Sequence, residues 1–224
     1  LKRLEENGFA IIDGVLPSDV VAELIRAVET EVPLQAARGG VRNLLEFPVI
    51  RGLADTTTVR ALVEPVLGAG AFPVRGILFD KTDGANWKVP WHQDVTIAVR
   101  NRMDVDGFGP WSMKAGVLHV QPPAVVLEQM LTVRLHLDDC LRENGALRVL
   151  PGTHRNGKIP ETEVANWTET VPEAVCELKA GGALLMRPLL LHASSVATRV
   201  GHRRVIHLDF AAVELPVGLE WAER

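Results

Sequence analysis

Two hydrophobic patterns divide the chain. Over residues 1–70 apolar positions recur mostly at helical spacing. After Pro17, the residues Val20, Val21, Leu24, Ile25, Val28 and Val32 form one stripe, and Ser18 or Asp19 is placed to cap the free N–H groups. A second stretch opens at Asp55 or Thr56 and carries Val59, Leu62, Val63, Val66 and Leu67. Pro65 is expected to kink or shorten that helix, and Gly68 stands where a terminating glycine belongs. Ahead of both, GFAIIDGVL (8–16) reads as a short strand between glycines.

From residue 72 the pattern changes to short runs rich in Val, Ile and Leu: FPVRGILFDK, HQDVTIAVR, MLTVRLHLDD, ALRVL, AVCELK, ALLMRPLLLH and RRVIHLDFAAV. Gly, Pro and Asn clusters separate them, including Asn144-Gly145, Pro151-Gly152 and Gly181-Gly182, which read as turns. Helices first and strands after predict an α+β, mainly β fold, a sandwich or barrel carrying helices on one face. Residues 100–129 interrupt the series with a long connection containing Met103, Phe108, Trp111 and Met113 beside Arg100, Arg102, Lys114 and His119. Two readings stand: a lid over a site, or a packed excursion covering the strands.

Composition narrows the class. The 224 residues are 47% hydrophobic and 23% charged, within the range of one globular domain spanning 1–224. A net charge of −4 and a pI near 6.0, without a continuous basic run, argue against a nucleic-acid partner. No apolar run reaches the ~18–20 residues of a membrane span, and the first residues lack a signal peptide's apolar stretch. Two distant cysteines, Cys140 and Cys176, fit free thiols in a reducing cytoplasm. Because Leu1 is not a Met, residues ahead of it are expected. Oligomeric state leaves no mark in the pattern.

Candidate chemistry begins at WHQD. On a strand, residues i and i+2 point to one face, so His92 and Asp94 would project together as two ligands for a divalent metal. His192, after the apolar ALLMRPLLL, is expected at the end of a buried strand and supplies a third ligand. Two histidines and one carboxylate suit a non-haem Fe(II) oxygenase or a catalytic Zn(II) site. Arg203, eleven residues after His192, offers a planar fork for a carboxylate, and Ser194 a hydroxyl for the same group. Arg204 reads as a solvated strand start. His207 and Asp209 share Arg203's face by strand alternation, His154 reads as structural, and Trp87 and Trp91 flank the metal segment as stacking or packing groups.

WHQD, ENGALRVLPGTHR (143–155) and LLLHASSVATRVGHRR (189–204), in this order and spacing, resemble the phytanoyl-CoA dioxygenase family of Fe(II)/2-oxoglutarate oxygenases. The resemblance runs from about Phe72 to Phe210. It implies a double-stranded β-helix (jelly-roll) core over 72–211, with the helical flank 1–70 packed outside and 100–129 as a lid-like insertion. It implies iron on His92, Asp94 and His192, and the remote carboxylate of 2-oxoglutarate on Arg203 and Ser194. Lys81 stands where relatives have a lysine near the cosubstrate. Arg134 stands where some have an aromatic, leaving it to meet 2-oxoglutarate, an acidic substrate or an internal carboxylate such as Asp138 or Glu128.

The expected activity is hydroxylation of a small-molecule C–H bond by O2, with 2-oxoglutarate converted to succinate and CO2. Desaturation or ring formation is open within the resemblance. Asp94 stands where related halogenating enzymes have a small residue, which implies hydroxylation instead of halogenation. Two other classes remain: a Zn(II) hydrolase on the same three ligands, needing a general base and no Arg203, and a non-catalytic jelly-roll binding module, whose mark would be a lost ligand.

Overall fold

The computed structural model describes residues 2–33, 40–199 and 201–224. In chain order the elements begin with α1 (Lys2–Asn7), β1 (Phe9–Ile12), α2 (Ser18–Glu31), β2 (Val41–Arg42), α3 (Pro48–Ala54) and α4 (Thr57–Leu67). The strands β3 (Phe72–Lys81), β4 (Val89–His92), β5 (Ile97–Val99), β6 (Trp111–Lys114) and β7 (Val117–Val120) follow. After α5 (Ala124–Glu128) come β8 (Met130–His136), β9 (Leu147–Val149), α6 (Val164–Thr170), β10 (Ala174–Cys176), β11 (Ala183–Met186), β12 (His192–Ser194) and β13 (Arg203–Ala211).

The strands form a six-stranded antiparallel sheet in the order β1-β11-β8-β13-β3-β2, a four-stranded sheet β10-β9-β12-β4, and a three-stranded sheet β5-β7-β6. This is the jelly-roll fold, α+β and mainly β, with its sheets open instead of closed into a barrel. The helical flank also supplies both edges of the large sheet. Phe9–Ile12 pairs with β11, and Val41 and Arg42 pair with Leu78 and Ile77.

Strand alternation makes the two faces of the large sheet different. Every residue of β8 and β13 is buried. One face, with Leu131, Val133, Leu135, Ile206, Leu208 and Phe210, joins Leu24, Val28, Ile50, Val59 and Val63 of the helices in the main core. Most alternate positions, among them Thr132, Arg134, His136, Arg203, His207 and Asp209, are polar and equally buried, with Val205 an apolar exception. A buried polar face persists only where its groups find partners. Here it faces the four-stranded sheet, and the site lies between them.

Several local expectations need correction. Pro17 occupies the N-cap of α2 without a side-chain cap, because Ser18 already belongs to the helix. Thr56 does cap α4, its hydroxyl accepting from the Val59 N–H at 3.3 Å. Pro65 does not end that helix, which continues to Leu67 and stops at Gly68 (φ 87°). HQDVTIAVR is not one strand: residues 93–96 turn between β4 and β5. ALLMRPLLLH is likewise broken after Met186, so His192 starts β12 instead of ending a strand. Arg204 is not solvated. It is buried, with Nε and Nη2 on the two Asp138 oxygens (2.9 and 2.8 Å) and Nη1 on Glu29 of α2 (2.5 Å).

Segment 100–129 is built into the molecule. Its β6 and β7 complete the three-stranded sheet, and Phe108 and Trp111 pack against Val120, Leu127 and Trp221. Among the described residues no helix is long and apolar enough to cross a membrane.

Candidate metal and cosubstrate site

His92 ends β4 and His192 begins β12, directly opposite each other in the antiparallel register. Their rings lie 4.2 Å apart, centre to centre. Asp94 reaches the same point by a different route from strand alternation. Its backbone N–H donates to the Pro188 carbonyl at 2.9 Å, in the turn after β4. Between the two, Gln93 points away and pins the turn. Its Nε2 donates to Leu189 O (2.6 Å) and Gly157 O (2.9 Å), and its Oε1 accepts from Ile159 N (2.7 Å).

One donor atom from each of His92, Asp94 and His192 lies within 4.8 Å of the others. Both histidines place Nδ1 against a carbonyl two residues back: His92 on Pro90 (2.8 Å) and His192 on Leu190 (2.9 Å). A carbonyl only accepts, so Nδ1 carries the hydrogen and Nε2 presents a lone pair. Those Nε2 atoms lie 3.9 and 3.7 Å from the Asp94 oxygens. Burial and the neighbouring His92 push His192 toward the neutral form. Burial alone would raise Asp94, but the charges of His192, His92 and Arg75 outweigh it and hold the carboxyl well below the usual range. A divalent ion such as Fe(II) would take both histidines through Nε2 as neutral imidazoles, with Asp94 as the carboxylate.

Beside the triad, a cavity of about 280 Å³ runs between the sheets. Arg203, Ser194, Arg134, His207, Phe79 and Trp87 line it. Arg203 is anchored by Nη1 on the Gly145 carbonyl at 2.5 Å, while its buried Nε has no partner among the described residues. Lys81, fully buried behind Ser194, donates to the Ser194 hydroxyl (3.3 Å) and to Ser195 O (2.5 Å). That leaves the Ser194 O–H free to donate elsewhere. Burial, then the charge of Arg203, pushes Lys81 down to about 8. Gly145 closes this corner with φ 73°; a Cβ there would meet Ser195 O at 2.5 Å and Lys81 Nζ at 3.0 Å.

Arg134 does not pair with Asp138 or Glu128. Its Nη1 donates to His207 Nδ1 (2.9 Å), so His207 Nε2–H donates to Asp209 Oδ1 (3.1 Å). Asp209 also accepts from Thr132 (2.6 Å) and from Arg75 Nε (2.5 Å). Arg134 lies over Phe79, 5.2 Å from the ring centre, and its own Nε lacks a partner among the described residues. Trp87 lines the cavity, whereas Trp91 packs under Arg148. His154 is structural, with Nε2 on the Glu5 carbonyl at 3.2 Å. Arg42, Arg75, Gln93 and Lys114 also line the cavity and were missed in the sequence. Arg42 and Arg75 stand in no motif, whereas Gln93 lies inside WHQD and Lys114 in segment 100–129 without a spacing that marks either as lining the site. The alternating polar positions of VRLH and VIHLD were the available signal for a site on the large sheet.

A jelly-roll with two histidines and one carboxylate between its sheets defines the class of non-haem metal-dependent oxygenases. The phytanoyl-CoA dioxygenase family model matches residues 4–205, and the chain belongs to that family of Fe(II)/2-oxoglutarate enzymes, which use O2. Solved structures share the fold. AviO1 from Streptomyces viridochromogenes Tue57 is 22% identical, with 96% of this chain and 94% of that one covered and a TM-score of 0.65. The epimerase SnoN, in complex with Fe3+, alpha ketoglutarate and nogalamycin RO, is 19% identical over 97% and 85%, with a TM-score of 0.69. HygX from Streptomyces hygroscopicus, with nickel and 2-oxoglutarate bound, is 17% identical over 93% and 84%, with a TM-score of 0.67.

Proposed function

We propose that this enzyme hydroxylates a C–H bond of a small molecule, R–H + O2 + 2-oxoglutarate giving R–OH + succinate + CO2. The observation that carries the reading is the convergence of His92, Asp94 and His192 at one end of a cavity that also holds Arg203 with a donor to spare. Bound Fe(II), with 2-oxoglutarate and O2, supplies the oxidising power that side chains lack.

The chain's own residues do the rest. His92 and His192 offer Nε2 lone pairs fixed by their Nδ1 bonds, and Asp94 offers one negative charge toward the ion. Arg203 grips the remote carboxylate of 2-oxoglutarate, and the Ser194 hydroxyl, turned by Lys81, donates to the same group. Arg134 and Phe79 form the adjoining wall between the two sheets. Asp94 keeps the third protein ligand in place, which supports hydroxylation over halogenation.

The same triad holding Zn(II) for hydrolysis finds less support. Among the described residues lining the cavity, the one carboxylate is Asp94 itself, and His207 is held between Arg134 and Asp209. A hydrolase needs a base beside the metal-bound water. The buried, unpaired thiols of Cys140 and Cys176 support a reducing compartment such as the cytoplasm.

The test is anaerobic loading with Fe(II), followed by 2-oxoglutarate, a metabolite panel and oxygen in chloride-containing buffer. The expected result is substrate-stimulated succinate release and a product heavier by one oxygen. A chlorine isotope pattern in the product would overturn hydroxylation. Turnover with zinc and without oxygen would establish the hydrolase instead.

A further inference from the structure

The cationic groups of the cavity fall into two sets. Lys81, Arg134 and Arg203 act on one another at the cosubstrate end. At the other end Arg75 acts on Arg42 and Lys114, Arg42 acts on Lys114, and all three feel Asp94. They converge from three elements. Arg42 on the edge strand β2 stands opposite Ile77, a cavity-lining residue of β3, and Arg75 lies two residues back on the same face. Lys114 ends β6 and reaches in from segment 100–129.

Their counter-charges are unequal. Arg75 is matched by Asp209 at 2.5 Å. Among the described residues Lys114 donates only to the Thr96 hydroxyl, at 2.9 Å, which brings no negative charge. The Arg42 side chain has no hydrogen-bonded or ion-paired partner among the described residues. Asp94 offsets both charges, and the buried Glu223, already accepting from Leu45 N and Gly76 N, offsets that of Arg42; a metal ion on the triad would take the charge of Asp94. Arg42 is half-buried and Lys114 exposed at the cavity rim, and neither has an ion-paired partner among the described residues. Both are held less firmly in their charged forms than usual, first by burial and then by the field of Arg75, to which Arg42 adds at Lys114.

We propose that the substrate is an anionic small molecule whose carboxylate or phosphate docks between Arg42 and Lys114, at the end of the cavity away from Arg203. This rests on the iron and 2-oxoglutarate reading given above. The cavity is near the lower limit of about 300–1,000 Å³ usual for ligand sites. With 2-oxoglutarate beside the metal, it admits one further small group. An anion on Arg42 and Lys114 would set which carbon of the substrate faces the metal, making these two residues specificity determinants.

The probes are acetate and inorganic phosphate, titrated calorimetrically into anaerobic protein saturated with Fe(II) and 2-oxoglutarate. One of them should bind the unaltered protein, and which one does separates a carboxylate from a phosphate substrate. The R42Q/K114M double variant should bind it at least about tenfold more weakly. The charge-retaining R42K/K114R variant should recover most of that affinity, which separates lost charge from lost folding. In a second arm, acids and phosphate monoesters paired with their methyl esters or parent alcohols are screened for stimulated succinate release, and only the charged partners should stimulate. Binding of neither probe, equal binding by R42Q/K114M, or stimulation by the uncharged partners would overturn the proposal. Failure of iron-loaded protein to bind 2-oxoglutarate at all would instead overturn the reading on which it rests.

Discussion

Arg203 and Arg204 are adjacent on β13, and the pleat sends them to opposite faces with opposite consequences. Arg203 enters the cavity; Arg204 ties β13 to Asp138 and Glu29. Arg203→Ala should raise the 2-oxoglutarate requirement by about 100-fold or more, since it removes charge-assisted hydrogen bonds of roughly 1.5–3 kcal/mol each, while iron binding stays nearly intact. Arg204→Ala should cost about 2–3 kcal/mol of stability by stranding a part-buried carboxylate, with cosubstrate affinity little changed. Titration of both variants beside their denaturation curves checks the pair; an unchanged 2-oxoglutarate affinity in Arg203→Ala would sink the clamp assignment.

Gly145 makes a sharper case. A Cβ would collide with Ser195 O and crowd Lys81 Nζ, in a conformation that already costs an L residue roughly 1–2 kcal/mol. Gly145→Ala should therefore lower stability and weaken 2-oxoglutarate binding together, which melting and cosubstrate titration of the one variant would show. Lys81 adds a pH signature. Because its folded value is near 8 against 10.5 in the open chain, the folded state holds fewer protons between those values. Stability from this group therefore rises with pH across that window. Affinity for 2-oxoglutarate should fall over the same window as the ammonium beside Ser194 is lost. Lys81→Met should flatten both trends, and a wild-type affinity independent of pH up to 10 would contradict the role.

At the scale of elements, long strands were the most legible. FPVRGILFDK corresponds residue for residue to β3, and RRVIHLDFAAV overruns β13 by Ala212 and Val213. Both are wholly or largely buried runs whose ends are marked by polar or turn residues. The two-residue β2 left no periodicity to read, although it carries Arg42. The break after His92 was also hidden. It depends on Gln93 bonding Leu189, Gly157 and Ile159, and on Asp94 bonding Pro188, all distant in sequence. WHQD led to neighbouring ligands because a tripeptide keeps its ends close in either geometry. The β6–β7 hairpin brings Lys114 to the cavity mouth, where closure over a substrate would cover it. Tryptic cleavage after Lys114 should slow when substrate joins the iron and 2-oxoglutarate complex. Equal cleavage rates would leave segment 100–129 a packed excursion.

For the whole molecule, the helices and the large sheet make one apolar core, and the site occupies the polar face on the sheet's other side. This division lets cavity residues carry unmatched charge without weakening the packing that supports them. The jelly-roll brings together His92 from β4, His192 from β12, Arg203 from β13 and Gly145 from the turn before β9, positions scattered between residues 92 and 203. Such assembly is invisible to local pattern, and only the ordered set of three motifs made it readable. Its direct test is an anaerobic crystal structure with Fe(II) and 2-oxoglutarate. A single iron on His92 Nε2, His192 Nε2 and an Asp94 oxygen is expected, with the remote 2-oxoglutarate carboxylate on Arg203 and Ser194. Iron bound elsewhere, or 2-oxoglutarate seated away from Arg203, would contradict the account.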